Sequence, residues 1–499
     1  MVRSPRNLLI IKCVLLLSCC PPAVVFAQQA IPEASQDVSP RQYVHEAQGR
    51  QAYGIYLAGR KVGWFVEELK LSQLNDQEVA VLNEEFHFSI TFAGEKSVFM
   101  GQEEKMFELE GEGQLLRGSL VSVEDGSKTE TKAKREADKL KITTQTGGRT
   151  TERTSPVPRA SLRRQQAFKA WLQSEPEPGA TFENFSISLD QADIEVPENY
   201  TIKQKKTIAW GGVPVTAYDV SLTVMGVSVD ATLSATGRIL RGKIAALLEL
   251  RAEEEVTAKK LDAGGVDMLA ASAITVDRDL GDPEKVRMLT MKAKQLGDLN
   301  IPASHRQVVN SDDKDVAVVK LLRDHRVDMG EPLSDEARGR WTAASPTLLS
   351  DHQDIQELAR AIAGDAPRPL PAAGSIKDWI QANLRPSYAA NGSTALEVLA
   401  NRSGDCTEHA LLFVALARAA GIPAREVGGV VYIGGARLFG WHAWAEIHDG
   451  HQWVSVDPMW DQIYVDATHF KLSEGPDDFN WINALGRLQL EVVEFESDE

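Results

Sequence analysis

The stretch that decides the fold is Gly404-Asp405-Cys406-Thr407-Glu408-His409-Ala410-Leu411-Leu412-Phe413-Val414-Ala415-Leu416-Ala417-Arg418-Ala419-Ala420-Gly421-Ile422-Pro423. Asp405 is a strong N-cap residue, and Glu408 three residues on completes a capping box. Leu411, Leu412, Ala415, Leu416 and Ala419 then recur at helical spacing until Gly421 and Pro423 end the run. Cys406 therefore stands at the first helical position, where unsatisfied backbone N–H groups and the helix dipole favour a thiolate. The negative charges of Asp405 and Glu408 work against that effect. An activated thiol at this place needs a cationic partner.

Strand pattern locates the partner. Gly440 to His448 and His451 to Asp457 flank Asp449-Gly450, a preferred two-residue turn of a β-hairpin. That turn sets His448 opposite His451 and, six residues further along, His442 opposite Asp457. Opposed residues share a sheet face with Cβ atoms about 4.5 to 5.5 Å apart, so the carboxylate can orient the imidazole and stabilise its protonated form. Cys406, His442 and Asp457 then form a nucleophile, a base and an orienting group of the kind used in covalent acyl transfer.

The segments GDCTEHALLFVALARAAGIPAREVGGVVY, WHAWAEI, WVSVDPMW and DATHFKL resemble the core of the transglutaminase-like superfamily over about Asp351 to Leu472. The resemblance implies an α+β, papain-related domain in which Cys406 is the nucleophile, His442 the general base and acid, and Asp457 the orienting carboxylate. It further implies a bacterial protein whose leading β region is similar to the sheet module preceding this core in some members. Asp405 stands where the animal transglutaminases carry Gln. Trp441 and Trp444 beside the triad, and His409 one turn after Cys406, are candidates for lining the substrate cleft. Cys406 and His409 also have the C-x-x-H spacing of a zinc pair, with His442, His448 and Asp457 as further donors. The helix and the hairpin account for the same residues without metal, so no metal and no cofactor are expected.

Working outward, the 499 residues allow about three domains, and a charged fraction of 25% with a mean hydropathy of -0.24 is that of a globular chain. The net charge of -17 would repel a phosphate backbone and argues against nucleic-acid binding. Residues 1–27, basic at Arg3 and Arg6, apolar from Cys13 to Leu17 and closing on Val25-Phe26-Ala27, read as a signal peptide. Leu16-Leu17-Ser18-Cys19 is similar to a bacterial lipobox, so membrane attachment would come only through a retained anchor or acylation at Cys19. Cleavage after Ala27 leaves Cys406 as a lone cysteine in an oxidising compartment, which excludes a disulfide framework.

Residues 28–50 read as a flexible lead-in. From Tyr53 the pattern alternates with period two, as in Phe86-His87-Phe88-Ser89-Ile90, and residues 51–260 are expected to be an antiparallel β region with a helix near Ala160 to Ser174. The matching hexapeptides Gly113-Gln114-Leu115-Leu116-Arg117-Gly118 and Gly237-Arg238-Ile239-Leu240-Arg241-Gly242 allow either two related units or a recurring turn-and-strand motif. Residues 261–345 read as a mixed connector, 346–475 as the transglutaminase-like domain and 476–499 as an acidic tail.

The expected protein is multidomain and extracytoplasmic, periplasmic or secreted. It would act on a peptide or protein amide, cell-envelope material being within reach, through a thioester. Hydrolysis is expected over cross-linking because water needs no second substrate site. The competing class is an inactive cell-envelope binding scaffold. Oligomeric state is not legible.

Overall fold

A computed structural model describes residues 39–499 apart from 93, 125, 147–148, 190–193, 327–329, 346, 365–367, 388–393 and 476–477. The expected signal peptide, with Cys13, Cys19 and Cys20, and the first part of the lead-in lie outside the described residues. Two compact units form among the described residues, one from 39–91 with 96–266, the other from 267–499 with 92–95.

The first unit is built on one 14-stranded antiparallel sheet. Eight strands from Gly49–Leu57 to Arg149–Pro156 run as a meander on one side, and six from Thr181–Ile187 to Leu248–Glu253 on the other. The halves meet where Gly49–Leu57 pairs with Leu248–Glu253, Ile55 opposite Leu250. The helix Leu162–Gln173, capped by the Ser161 hydroxyl, packs Phe168 against Phe182 and Tyr200. Both copies of the repeated hexapeptide begin with a left-handed glycine, Gly113 at φ +69° and Gly237 at φ +87°. A Cβ on Gly113 would meet Leu162 and one on Gly237 would meet Phe168, so the same helix crowds both turns.

The lead-in differs from its sequence reading at its C-terminal end. Pro40–Ala47 is a helix, with the Ser39 hydroxyl accepting from Gln42 N and Pro40 in the first turn, and Val44 is fully buried. A Ser-Pro pair is a helix start as well as a loop signal, and the polar composition concealed it.

In the second unit, a four-stranded sheet runs Gln307–Asp313, Val316–Leu322, Val286–Lys294, Gln489–Ser497. The segment read as a connector thus supplies three of that sheet's four strands. The acidic tail is correspondingly a strand: Leu490 and Val492 are buried, while Glu491, Glu494 and Glu496 point outward. Charge alternating with Leu and Val is the period-two signature of an edge strand.

A second sheet follows the order Gln462–Ile463, Trp453–Asp457, Leu438–His448, Ala424–Ile433, Phe470–Glu474, with Ile274–Thr275 pairing onto Leu438 and Phe439. Against it lies the helix Cys406–Ala419, flanked by Gln353–Ala363 and Pro369–Asn383. Every residue from Cys406 to Arg418 is buried, so the helix has no solvated face and is not the one-sided element its stripe suggested. From Ala410 to Ala417 each position is apolar, which suits a helix surrounded by Ile355, Ile376, Ala445 and Val456.

Candidate active site

The local sequence fixes the start of the cysteine helix as expected. Asp405 Oδ1 accepts from Thr407 N at 2.7 Å, and Glu408 Oε2 accepts from Asp405 N at 2.7 Å. Gly404 is required here, because a Cβ would come within 2.2 Å of Glu408 Cβ. Burial, with Asp405 beside it, pushes the Glu408 carboxyl well above the usual carboxylate range.

His442 sits on the strand Leu438–His448 and Asp457 ends the neighbouring strand Trp453–Asp457. His442 Nε2 lies 2.6 Å from Asp457 Oδ2, and the ring is also within hydrogen-bonding reach of Cys406. Burial lowers the His442 pKa, yet the charges of Asp457 and Cys406 and the bonds to both outweigh it and push it up to about 10. Asp457 is held well below the carboxylate range, against its burial, by the charge of His442 and by hydrogen bonds from His442 and His469. Burial and the charge of Asp405 disfavour the Cys406 thiolate, whereas the charge and hydrogen bond of His442 favour it. The cationic partner that the sequence called for is thus in place.

The hairpin register departs from the two-residue reading. Asp449 N donates to Gln452 O, and Asp449 Oδ1 accepts from His451 N and Gln452 N, so the loop takes in His451 and Gln452. His448 then opposes Trp453 and Ala445 opposes Val456. His442 and Asp457 are diagonal neighbours and not directly opposed. A slip of two residues keeps both on the same face, so the contact survives.

Trp444 is fully buried, its ring centroid 6.2 Å from that of His442 at 22°, and forms the wall behind the imidazole. Trp441 is a correction: it alternates to the other face, donates Nε1–H to Ser272 O at 3.0 Å and packs on Trp481. His409 is buried with Nδ1 2.7 Å from Asp405 O, and burial pushes its pKa down. It is placed beside the site as a neutral ring. His448, weighed above as a zinc donor, packs edge-on against Trp453 at the far end of the strand.

Two further residues join the site: Trp460, which the sequence reading does not single out, and His469, which it reads as a structural residue. Trp460 stacks on His442 with centroids 4.5 Å apart, and its backbone N–H, with that of Met459, donates to Asp457 Oδ1. The signal was Asp457-Pro458, since an Asp that accepts from N–H groups two and three residues on is an Asx turn. His469 places Nε2 3.2 Å from Asp457 Oδ2. His442, Asp457 and His469 bring ligand-type atoms within 4.8 Å of one another, and hydrogen bonds within the group account for that spacing without a metal. Among the described residues Cys406 is a free, buried cysteine.

A thiol at a buried helix start, an imidazole on the packed strand and a carboxylate holding that imidazole place the domain in the class of papain-related folds. The family comparison is narrower. Residues 356–458 match the model of the transglutaminase-like superfamily, and the C-terminal domain belongs to that superfamily. No curated protein matches the chain. Among solved structures, a candidate cysteine protease from Cytophaga hutchinsonii is similar at 18% identity and a TM-score of 0.31, over 43% of this chain and 90% of that one. The periplasmic domain of TgpA from Pseudomonas aeruginosa, bound to ethylmercury, is similar at 17% identity and a TM-score of 0.27, over 40% of this chain and 87% of that one.

Proposed function

We propose that the chain is an exported cysteine-dependent amide hydrolase with Cys406, His442 and Asp457 as its catalytic triad. The observation that supports this most is the 2.6 Å contact between Asp457 and an imidazole that also reaches the thiol of a helix-start cysteine. The Cys406 thiolate attacks the amide carbonyl, forming the C–S bond as the carbonyl electron pair moves to oxygen. Collapse of that intermediate breaks the C–N bond, and the leaving amine takes its proton from the His442 imidazolium. The neutral imidazole then draws a proton from water as it attacks the thioester. The acid is released and the proton stays on His442 beside the regenerated thiolate.

Export is inferred from residues 1–27 and from the lone cysteine of the expected mature chain, which make peptides and envelope amides the accessible substrates. The test is incubation of the protein with peptide and peptidoglycan libraries, with and without a primary amine, followed by mass spectrometry against Cys406→Ala. New carboxyl termini or deamidated side chains support hydrolysis. A dominant amine adduct would replace hydrolysis with cross-linking.

A second reading, a non-catalytic binding scaffold, takes support from burial. Cys406 is 1% exposed and His442 5% exposed, so substrate must displace covering groups before it meets the thiol. Iodoacetamide labelling separates the two readings. An activated site gives a Cys406 whose apparent pKa lies well below the free value of about 8.5, an advantage lost in His442→Ala, and a scaffold gives an unreactive thiol.

A further inference from the structure

Behind His442, one carboxylate oxygen serves two imidazoles. Asp457 Oδ1 is occupied by the N–H groups of Met459 at 2.8 Å and Trp460 at 3.0 Å. Oδ2 meets His442 Nε2 at 2.6 Å and His469 Nε2 at 3.2 Å. The other nitrogen of His469, Nδ1, lies 3.2 Å from Asp466 Oδ1. A neutral imidazole carries one N–H and can donate to one carboxylate only, so both contacts are satisfied only when His469 is an imidazolium.

The surroundings hold it in that form. His469 is fully buried. Asp466 Oδ1 also accepts from Thr468 N and Thr468 Oγ1, and Oδ2 from Gln462 Nε2 at 2.8 Å, which fixes the carboxylate as an acceptor. The buried Arg306 donates to the carbonyls of Asp466 and His469, both at 2.9 Å, and clamps the loop between them. The charged or titratable groups that face the ring are Asp457, Asp466 and His442, while Arg306 meets the backbone carbonyl of His469. The sharing with Asp457 has a direct electrostatic meaning. A cation on the same oxygen weakens the hold of Asp457 on a second cation.

We propose that His469, kept protonated by Asp466, is a positioning residue that shares Asp457 with His442 and thereby limits how strongly Asp457 holds the His442 proton. This rests on the triad reading. If His442 surrendered its proton too reluctantly, the leaving amine would go unprotonated, so a competing cation on Asp457 makes it a better acid. The raised pKa of His469, in which Asp466 and Asp457 overcome the effect of burial, agrees with the geometry.

The test is an NMR titration of the full chain carrying 13Cε1-labelled histidine, each resonance assigned by its own substitution. In the wild type, His469 should stay protonated well past neutrality. In His469→Gln, which keeps an N–H donor and removes the charge, the His442 midpoint should rise by about half a unit to one unit. Should that variant fail to fold, Asp466→Asn gives the same reading: His469 releases its proton earlier, and the His442 midpoint rises once it has done so. A wild-type His469 that titrates near its ordinary value of about 6.5, or a His442 midpoint unmoved by both variants, overturns the proposal. Cys406→Ala tests the triad separately. There the His442 midpoint should fall with loss of the thiolate, and a midpoint that stays put overturns the triad reading whatever His469 does.

Discussion

His442 and Asp457 touch at 2.6 Å although their strands do not set them opposite each other. The ladder pairs His448 with Trp453, Ile447 with Val454, Glu446 with Ser455 and Ala445 with Val456, while Asp457 itself pairs with Gln462 on its other side. The imidazole therefore reaches diagonally along one face, with Trp460 stacked over it and Trp444 behind it. Such a contact depends on the carboxylate being fixed by the turn at Met459 and Trp460 as much as on the sheet.

Asp457→Asn is the direct probe of that contact. It keeps the shape, removes the charge and leaves a buried imidazole without its counter-ion, so stability should fall by about 3 kcal/mol. The pH dependence has a definite sign. A folded-state pKa of about 10 for His442 means its stabilisation is complete below the unfolded value of about 6.5 and is lost as pH rises through about 10. Urea unfolding at a series of pH values should show this decline in the wild type and a flatter profile in Asp457→Asn. Equal slopes would place the pH sensitivity elsewhere.

Asp405→Asn should make Cys406 more reactive. Asn caps helices about as well as Asp, so the bond to Thr407 N can persist, while the carboxylate that raises the thiol pKa is gone. Iodoacetamide rates against pH should shift the Cys406 midpoint downward by about half a unit or more. An upward shift would show that Asp405 acts through the geometry of the helix start and not through its charge. Glu408→Gln is the control: burial and the neighbouring Asp405 already disfavour the charged form of Glu408, so its amide should move the midpoint less than Asp405→Asn does.

What the sequence revealed of the site came from short-range rules. The cap at Asp405, the box with Glu408 and the apolar run behind Cys406 are local, and the helix begins where they put it. The face shared by His442 and Asp457 follows from period two alone and tolerates an even slip. The register itself did not follow, because Asp449 recruits His451 and Gln452 through its side chain, a choice among loop lengths that Asp-Gly does not settle. His469 was hidden for a different reason. It lies on the loop before Phe470–Glu474, which joins the sheet beside Ala424–Ile433, so nothing in the spacing brings it to Asp457. The C-terminal strand was masked by its glutamates, whose outward alternation reads equally as tail or as edge.

Glu446 joins the sheet below the site and should dominate its acid sensitivity. Its Oε2 accepts from Arg425 Nε at 2.8 Å and Nη2 at 2.6 Å, and Oε1 from Lys471 Nζ at 2.9 Å, all within the buried sheet. Burial opposes its charge, yet Lys471 and Arg425 hold its pKa down to about 2. The stabilisation is therefore complete above the unfolded value of about 4.3 and is lost as pH falls through about 2. Glu446→Gln should cost about 3 kcal/mol at neutral pH, because Arg425 and Lys471 are then left to share Glu474 as their carboxylate. It should also flatten the acid limb of a thermal-denaturation series. A variant that melts with the wild type at neutral pH would show the network to be neutral in stability.

Removing residues 489–499 tests whether the C-terminal strand belongs to the domain or merely trails from it. Gln489–Ser497 pairs with Val286–Lys294, with Met291 opposite Val492 and Ala293 opposite Leu490. Leu490 is 6% and Val492 2% exposed, so their removal uncovers apolar surface and the ladder donors of Val286–Lys294 together. Losing two buried aliphatic side chains of this size costs about 3 kcal/mol at least. At roughly 2 to 4 °C per kcal/mol for a unit of this length, the melting temperature should drop by about 6 °C or more. The effect should also reach the site, because Val286 O accepts from Ala467 N, in the loop that carries Asp466 and His469. Cys406 labelling should therefore change in the truncated chain, and Leu490→Ala with Val492→Ala should reproduce the loss of stability in milder form. A truncated chain that melts within about 2 °C of the full one would show that the four-stranded sheet holds on its other three strands.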